Sequence, residues 1–177
     1  MYKFLVFALP LLINSTSIPI LLPNSYSKQV FLSQKGSIDL SNTFIGGIKI
    51  GMSENETIEK FGAPKSRKTG YNQCTAAYDT TLKYDRLDLY LEGDASKKSK
   101  RYVSSITTTN SQYSTNKGIR VGDSMKKAEK AYSKAAVTGE DGFYLGVNDA
   151  ARTECSIIFS SRDRRTVSKI ELGCATC

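Results

Sequence analysis

From residue 47 onward the hydrophobic positions pass twice through the same change of period, first at helical spacing and then in alternation. In the first pass Ser53-Glu54-Asn55-Glu56 spells a capping box, in which a Ser hydroxyl and a Glu carboxylate satisfy each other's backbone donors. Gly62 offers a left-handed C-cap and Pro64 blocks continuation, so the spacing predicts a helix over roughly 54 to 61. Alternation follows in Leu87-Asp88-Leu89-Tyr90-Leu91, and the β-branched Tyr102-Val103-Ser104-Ser105-Ile106-Thr107-Thr108 reads as its hairpin partner across a polar, basic turn from Glu92 to Arg101.

The second pass is announced by a repeat. Gly118-Ile119-Arg120-Val121-Gly122-Asp123-Ser124 matches Gly47-Ile48-Lys49-Ile50-Gly51-Met52-Ser53 at an offset of 71, with six of seven positions keeping their chemical type. Ser124 then caps a second predicted helix from Met125 to about Ala135, where Lys127 replaces the Glu of the box and Met125, Ala128 and Tyr132 form an apolar stripe. Cys155-Ser156-Ile157-Ile158-Phe159, a turn from Ser160 to Arg165, and Val167 to Leu172 repeat the hairpin, with further strands expected near Thr75 to Tyr84 and Phe143 to Val147. The expected fold class is α+β: two helix-plus-antiparallel-sheet modules in tandem, over 47–112 and 113–177.

Upstream, the pattern is of another kind. Lys3, the apolar run Phe4 to Ile13 and the small residues around Ser25-Tyr26-Ser27 read as a secretory signal over 1–27, with cleavage before Lys28 and a cut before Ile18 as the alternative. The apolar run is too short, and too broken by Asn14, Pro19 and Pro23, to span a bilayer core of about 30 Å. Residues 28–46 are an N-terminal extension in this reading, and the expected location is periplasmic or secreted.

An exported chain is disulfide-permissive, and the four cysteines, Cys74, Cys155, Cys174 and Cys177, lie behind the signal. Three pairings are open by spacing; the favoured arrangement joins Cys74 and Cys155 to the tail, one through Cys174 and the other through Cys177. Cys174-Ala175-Thr176-Cys177 has redox C-x-x-C spacing, but no helix follows it to lower a thiol pKa. A zinc site would want two closely spaced pairs, which Cys74 and Cys155 do not supply.

Charge and chemistry narrow the function. Net charge is +8, or +7 once the signal with its single Lys3 is removed, which favours acidic partners. With no histidine in the chain, Ser-His and Cys-His nucleophilic systems and the commonest metal ligand are excluded. The acids Asp79, Asp85, Asp88, Asp94, Asp141, Asp149 and Glu154 show no spacing that makes two of them converge, and Gly46-Gly47 with Gly51 lacks the Lys-Ser/Thr ending of a phosphate loop. No catalytic residue, cofactor or metal is expected, nor nucleic-acid binding. Basic residues cluster in two hairpin turns, Lys97, Lys98, Lys100 and Arg101 in one and Arg162, Arg164 and Arg165 in the other, a candidate patch for an acidic partner if the turns share one end. Tyr71, Tyr78, Tyr84, Tyr90, Tyr102 and Tyr113 are candidates for an interface along a sheet face.

The phrase Gly-Ile-x-Ile/Val-Gly-x-Ser, followed by a short helix ending at Phe61-Gly62-Ala63-Pro64, resembles the SmpA/OmlA (BamE-like) module of bacterial envelope proteins. Its tandem use is similar to the β-lactamase inhibitor protein fold, two helix-on-sheet repeats with a concave binding surface. The order of Cys74, Tyr78, the two strands, the second motif and Gly173-Cys174 is also similar to many exported bacterial proteins. No lipid-bearing Cys follows the signal, a departure from the lipoprotein members. The resemblance implies a non-enzymatic exported module that binds a protein, with inhibition of a secreted or periplasmic enzyme as its narrower form. The alternative is an envelope maintenance or assembly protein that holds anionic polymer or lipid through the basic turns.

Overall fold

A computed structural model describes residues 38–96, 100–132, 143–148 and 155–174, the side chains of 143–148 excepted. The expected signal over 1–27 and most of the expected extension lie outside these residues, as do Lys97, Lys98, Asp141, Asp149, Glu154 and Cys177. Within them α1 (Glu54–Phe61) is followed by β1 (Ser66–Asn72), β2 (Ala77–Lys83), β3 (Leu87–Glu92) and β4 (Tyr102–Thr108). Then come α2 (Met125–Ala131), β5 (Phe143–Asn148), β6 (Cys155–Ser161) and β7 (Val167–Cys174). The strands form one antiparallel sheet in the order β1-β2-β3-β4-β7-β6-β5, an α+β arrangement.

One row of directly opposed residues shows why the sheet has a buried face. Leu82, Leu89, Ile106, Leu172 and Ile157 lie across five successive strands, each fully buried. They share a core with Ala128 and Tyr132 of the second helix and its C-cap, while Ile58 and Phe61 of α1 pack against it. Both helices therefore cover the same face. Ile38, inside the segment expected to be an extension, belongs to this core as well, so the packed domain begins before Gly47.

Each helix is entered through the same three backbone bonds. Gly51 donates to the Val103 carbonyl, Val103 to that of Met52, and Glu54 to that of Arg101. Gly122 donates to Val167, Val167 to Asp123, and Met125 to Arg165. Gly51 and Gly122 hold φ of +84° and +96° at this approach, a region that glycine enters without a Cβ clash.

Helix α1 has the expected bounds and the full capping box; Gly62 takes a positive φ of 78°, though with an extended ψ and not the left-handed helical value. Helix α2 ends at Ala131, short of the expected Ala135, where Tyr132 leaves helical geometry as C-cap with φ −109° and ψ 22°; the Tyr132 ring packs in the core against Phe159 at 5.0 Å. Strand β1 was not expected: Ser-Arg-Lys-Thr-Gly-Tyr-Asn carries no hydrophobic alternation, and it forms as an edge strand held by β2.

Cys155 and Cys174, directly opposed on β6 and β7, are joined in a disulfide. Cys74 is also disulfide-bonded, with its partner outside the described residues. Among the described residues no helix is long and apolar enough to cross a membrane.

Candidate functional site

Among the described residues, the opposite face of the sheet carries no helix. Its rows follow from the same register: Thr81, Tyr90, Ser105, Gly173 and Ser156 in one, and Lys83, Asp88, Thr107, Glu171 and Ile158 in the next. Most of these side chains are half-buried, as on a polar sheet surface, and ion pairs join Lys83 to Asp88 at 3.4 Å and Lys169 to Glu171 at 2.7 Å. Gly173 has no side chain because the Ser105 Oγ would lie 3.0 Å from its Cβ.

A polar cluster sits on this face towards the end where β3 finishes. The Tyr90 hydroxyl donates a short bond to Asp79 Oδ2, and the Asn72 amide donates to the same oxygen at 2.8 Å. Asp79 is 5% exposed and lies one residue past the Thr80–Leu91 pair on β2, as Glu92 does on β3. Asp79 Oδ1 and Glu92 Oε1 are buried with no hydrogen-bond partner. Burial pushes the Glu92 carboxyl above its ordinary range, and the Asp79 charge adds to this. Burial, then the bond to Asp79, pushes the Tyr90 phenol up to about 12. Of the acids singled out from the sequence only Asp79 enters this cluster; Glu92, which joins it, has no distinguishing signal in the sequence because it opens a polar turn.

The two basic turns do not meet. β4 and β7 are antiparallel neighbours, with Ser105 opposite Gly173 and Thr108 opposite Ile170, so the turn leading into β4 and the turn leading into β7 lie at opposite ends of the sheet. A strand of seven residues separates them by about 20 Å. Arg101 leaves the expected patch for a second reason: it is 5% exposed, its Nε donates to the Tyr78 carbonyl at 3.3 Å, and its guanidinium lies 3.9 Å from Glu54. Lys100 is exposed, as are Arg162, Arg164 and Arg165. Asp163 organises their turn by accepting from the Thr166 and Arg165 amides and the Ser161 hydroxyl, which holds its carboxyl well below the usual range.

Nor do the tyrosines form one face. Tyr71 and Tyr102 are the exposed ones, at 55% and 46%, whereas Tyr84 and Tyr113 pack around Phe61 beside the core. Tyr102 borders an open cleft of about 480 Å³ at the start of α1, lined by Glu54, Glu56 and Lys100 among others. This cleft mixes both signs of charge and selects neither. Among the described residues no three His, Cys, Asp or Glu side chains converge as metal ligands would. Compared with protein-family models, curated proteins and solved structures, the chain matches none.

Proposed function

We propose that this protein is an exported, non-enzymatic binding module that recognises a protein partner across the helix-free face of its sheet. The observation that carries the reading is that both helices pack on one face, which leaves a broad surface of half-buried polar residues, with Tyr90 and Ile158 among them, on the other. Tyr and branched apolar residues set among polar ones are suited to a protein interface. Export is supported by the amino-terminal signal pattern and by the disulfide between Cys155 and Cys174. The repeated helix-entry bonds support a duplicated module and, with it, the BamE-like and β-lactamase-inhibitor-like reading; an inhibited secreted or periplasmic enzyme is the narrower partner class.

The test is affinity capture from an envelope extract and culture medium with the wild type, with Ile158→Asp plus Thr107→Arg, and with Arg162→Glu plus Arg165→Glu. A protein captured by the wild type and by the turn variant, and lost in the sheet-face variant, is the expected result. A partner retained by the sheet-face variant would sink this reading. The exposed Arg162, Arg164 and Arg165 favour a second one, in which that turn holds an anionic polymer or lipid. In that case the turn variant alone loses envelope retention, and more so at low salt.

A further inference from the structure

Asp79 and Glu92 each lie one residue beyond the Thr80–Leu91 pair, on the neighbouring strands β2 and β3 at the same end of the sheet, and the Asp79 charge acts on the Glu92 carboxyl. Each presents one carboxylate oxygen that is shielded from solvent and accepts no hydrogen bond. A buried carboxylate oxygen with no positive or hydrogen-bonding partner is costly, and two on neighbouring strands are costlier. Ser104 hydrogen-bonds the Glu92 carboxyl but leaves Oε1 without a partner. Tyr90 and Asn72 both donate to Asp79 Oδ2, which leaves Oδ1 as the bare atom.

We infer that the Asp79–Glu92 pair is a binding site for a single hard divalent cation of the Ca²⁺ class, held by Asp79 Oδ1 and the Glu92 carboxylate on the helix-free face of the sheet. The donors at hand are oxygen, which hard cations select over the nitrogen and sulfur that zinc and copper prefer. Bare oxygens below the surface suit a small ion and not a guanidinium, whose planar fork needs room for several donors at once. Two carboxylates are a sparse set, so water completes the shell and the affinity is low, with a Kd of about 10⁻⁴ to 10⁻³ M, the range of extracellular calcium modules. The ion would tie the edge hairpin β1–β2 to β3 and keep the Tyr90 hydroxyl fixed on Asp79. This inference does not depend on what the sheet face recognises.

The experiment is a Tb³⁺ luminescence titration of the oxidised protein, with Tyr90 as the nearby sensitiser, followed by competition with Ca²⁺ and by the thermal midpoint in Ca²⁺ against chelator. Sensitised emission displaced by Ca²⁺, a midpoint that rises with Ca²⁺, and a Kd at least tenfold weaker in Asp79→Asn and in Glu92→Gln are expected. Emission unchanged in both variants would overturn the site. A wild type whose midpoint ignores millimolar Ca²⁺ but rises on acidification would replace it with a proton shared by the two carboxyls. Glu92 is the more exposed of the two, so Glu92→Gln with the wild-type titration decides the matter even if Asp79→Asn does not fold.

Discussion

Arg101 and Arg165 stand at the same place in two hairpins and do opposite things. Each lends its carbonyl to the first amide of a helix, that of Glu54 in one case and of Met125 in the other. Where the helix begins with Glu54, the arginine side chain turns inward, buried against that carboxylate and the Tyr78 carbonyl. Where it begins with Met125 there is no charge to meet, and Arg165 stays in solvent. The caps differ in the same sense: Ser53 and Glu56 close a reciprocal box, while Ser124 accepts only from Lys127 and that lysine turns to Asp123 at 2.9 Å. A backbone scheme used twice thus carries two different side-chain schemes, and a basic residue near a turn is a surface charge in only one of them.

The sharpest test of how far the halves are joined is Ile106→Ala, since Ile106 sits between Leu89 and Leu172 at the β4–β7 seam. A loss of about 2 to 5 kcal/mol is expected in one cooperative urea transition; two separate transitions would show halves that fold alone. Next, replacing Cys155 and Cys174 together by Ser, which opens a link of sequence separation 19, should cost about 3 kcal/mol. Hydrogen exchange should then rise in β6 and β7 before α1 and β3. Arg101→Ala should cost about 1 to 3 kcal/mol by emptying a buried site and removing the bond to the Tyr78 carbonyl, while Glu54 keeps its 2.6 Å pair with Arg67, against about 0.5 or less for Arg165→Ala. Equal costs in thermal melts would break the contrast. Ser53→Ala should cost about 1 kcal/mol and Ser124→Ala about half that, because only the first cap is reciprocal.

The smallest effects separate the carboxylates by pH. Glu92 has a raised pKa in the folded protein, so its contribution is present below its ordinary value of 4.5 and is lost as pH rises through the raised value. Asp163 is lowered, so its contribution is present above its ordinary value of 3.8 and is lost as pH falls. In chelator, Glu92→Gln should therefore gain on the wild type towards neutral pH, and Asp163→Asn should lose to it there. Midpoints measured from pH 3 to 7 that leave either variant parallel to the wild type would contradict the corresponding environment.

Much of the frame is legible in local chemistry. The capping box at Ser53, the alternation Leu87 to Leu91 and the β-branched run from Tyr102 are signals carried by adjacent residues, and they formed a helix and strands close to their expected bounds. β1 was illegible because an edge strand with neither face in the core needs no apolar alternation; its partner supplies the ladder. The candidate site divides along the same line. Asp79 is one of seven acids with nothing to distinguish it, and Glu92 lies at a strand end; only the pairing of β2 with β3 brings them to the same end of the sheet.

By itself the sequence determined the element types, the twice-used entry into a capped helix and a set of cysteines suited to an oxidising compartment, because caps, alternation and glycine turns are short-range physics. The tertiary structure decided that β4 and β7 run antiparallel at the centre, and from that one pairing the rest follows. It sends the two basic turns to opposite ends and lines up one apolar row from Leu82 to Ile157. Burial then decided which charges are inside, since whether Arg101 or Asp79 meets a partner depends on residues far along the chain.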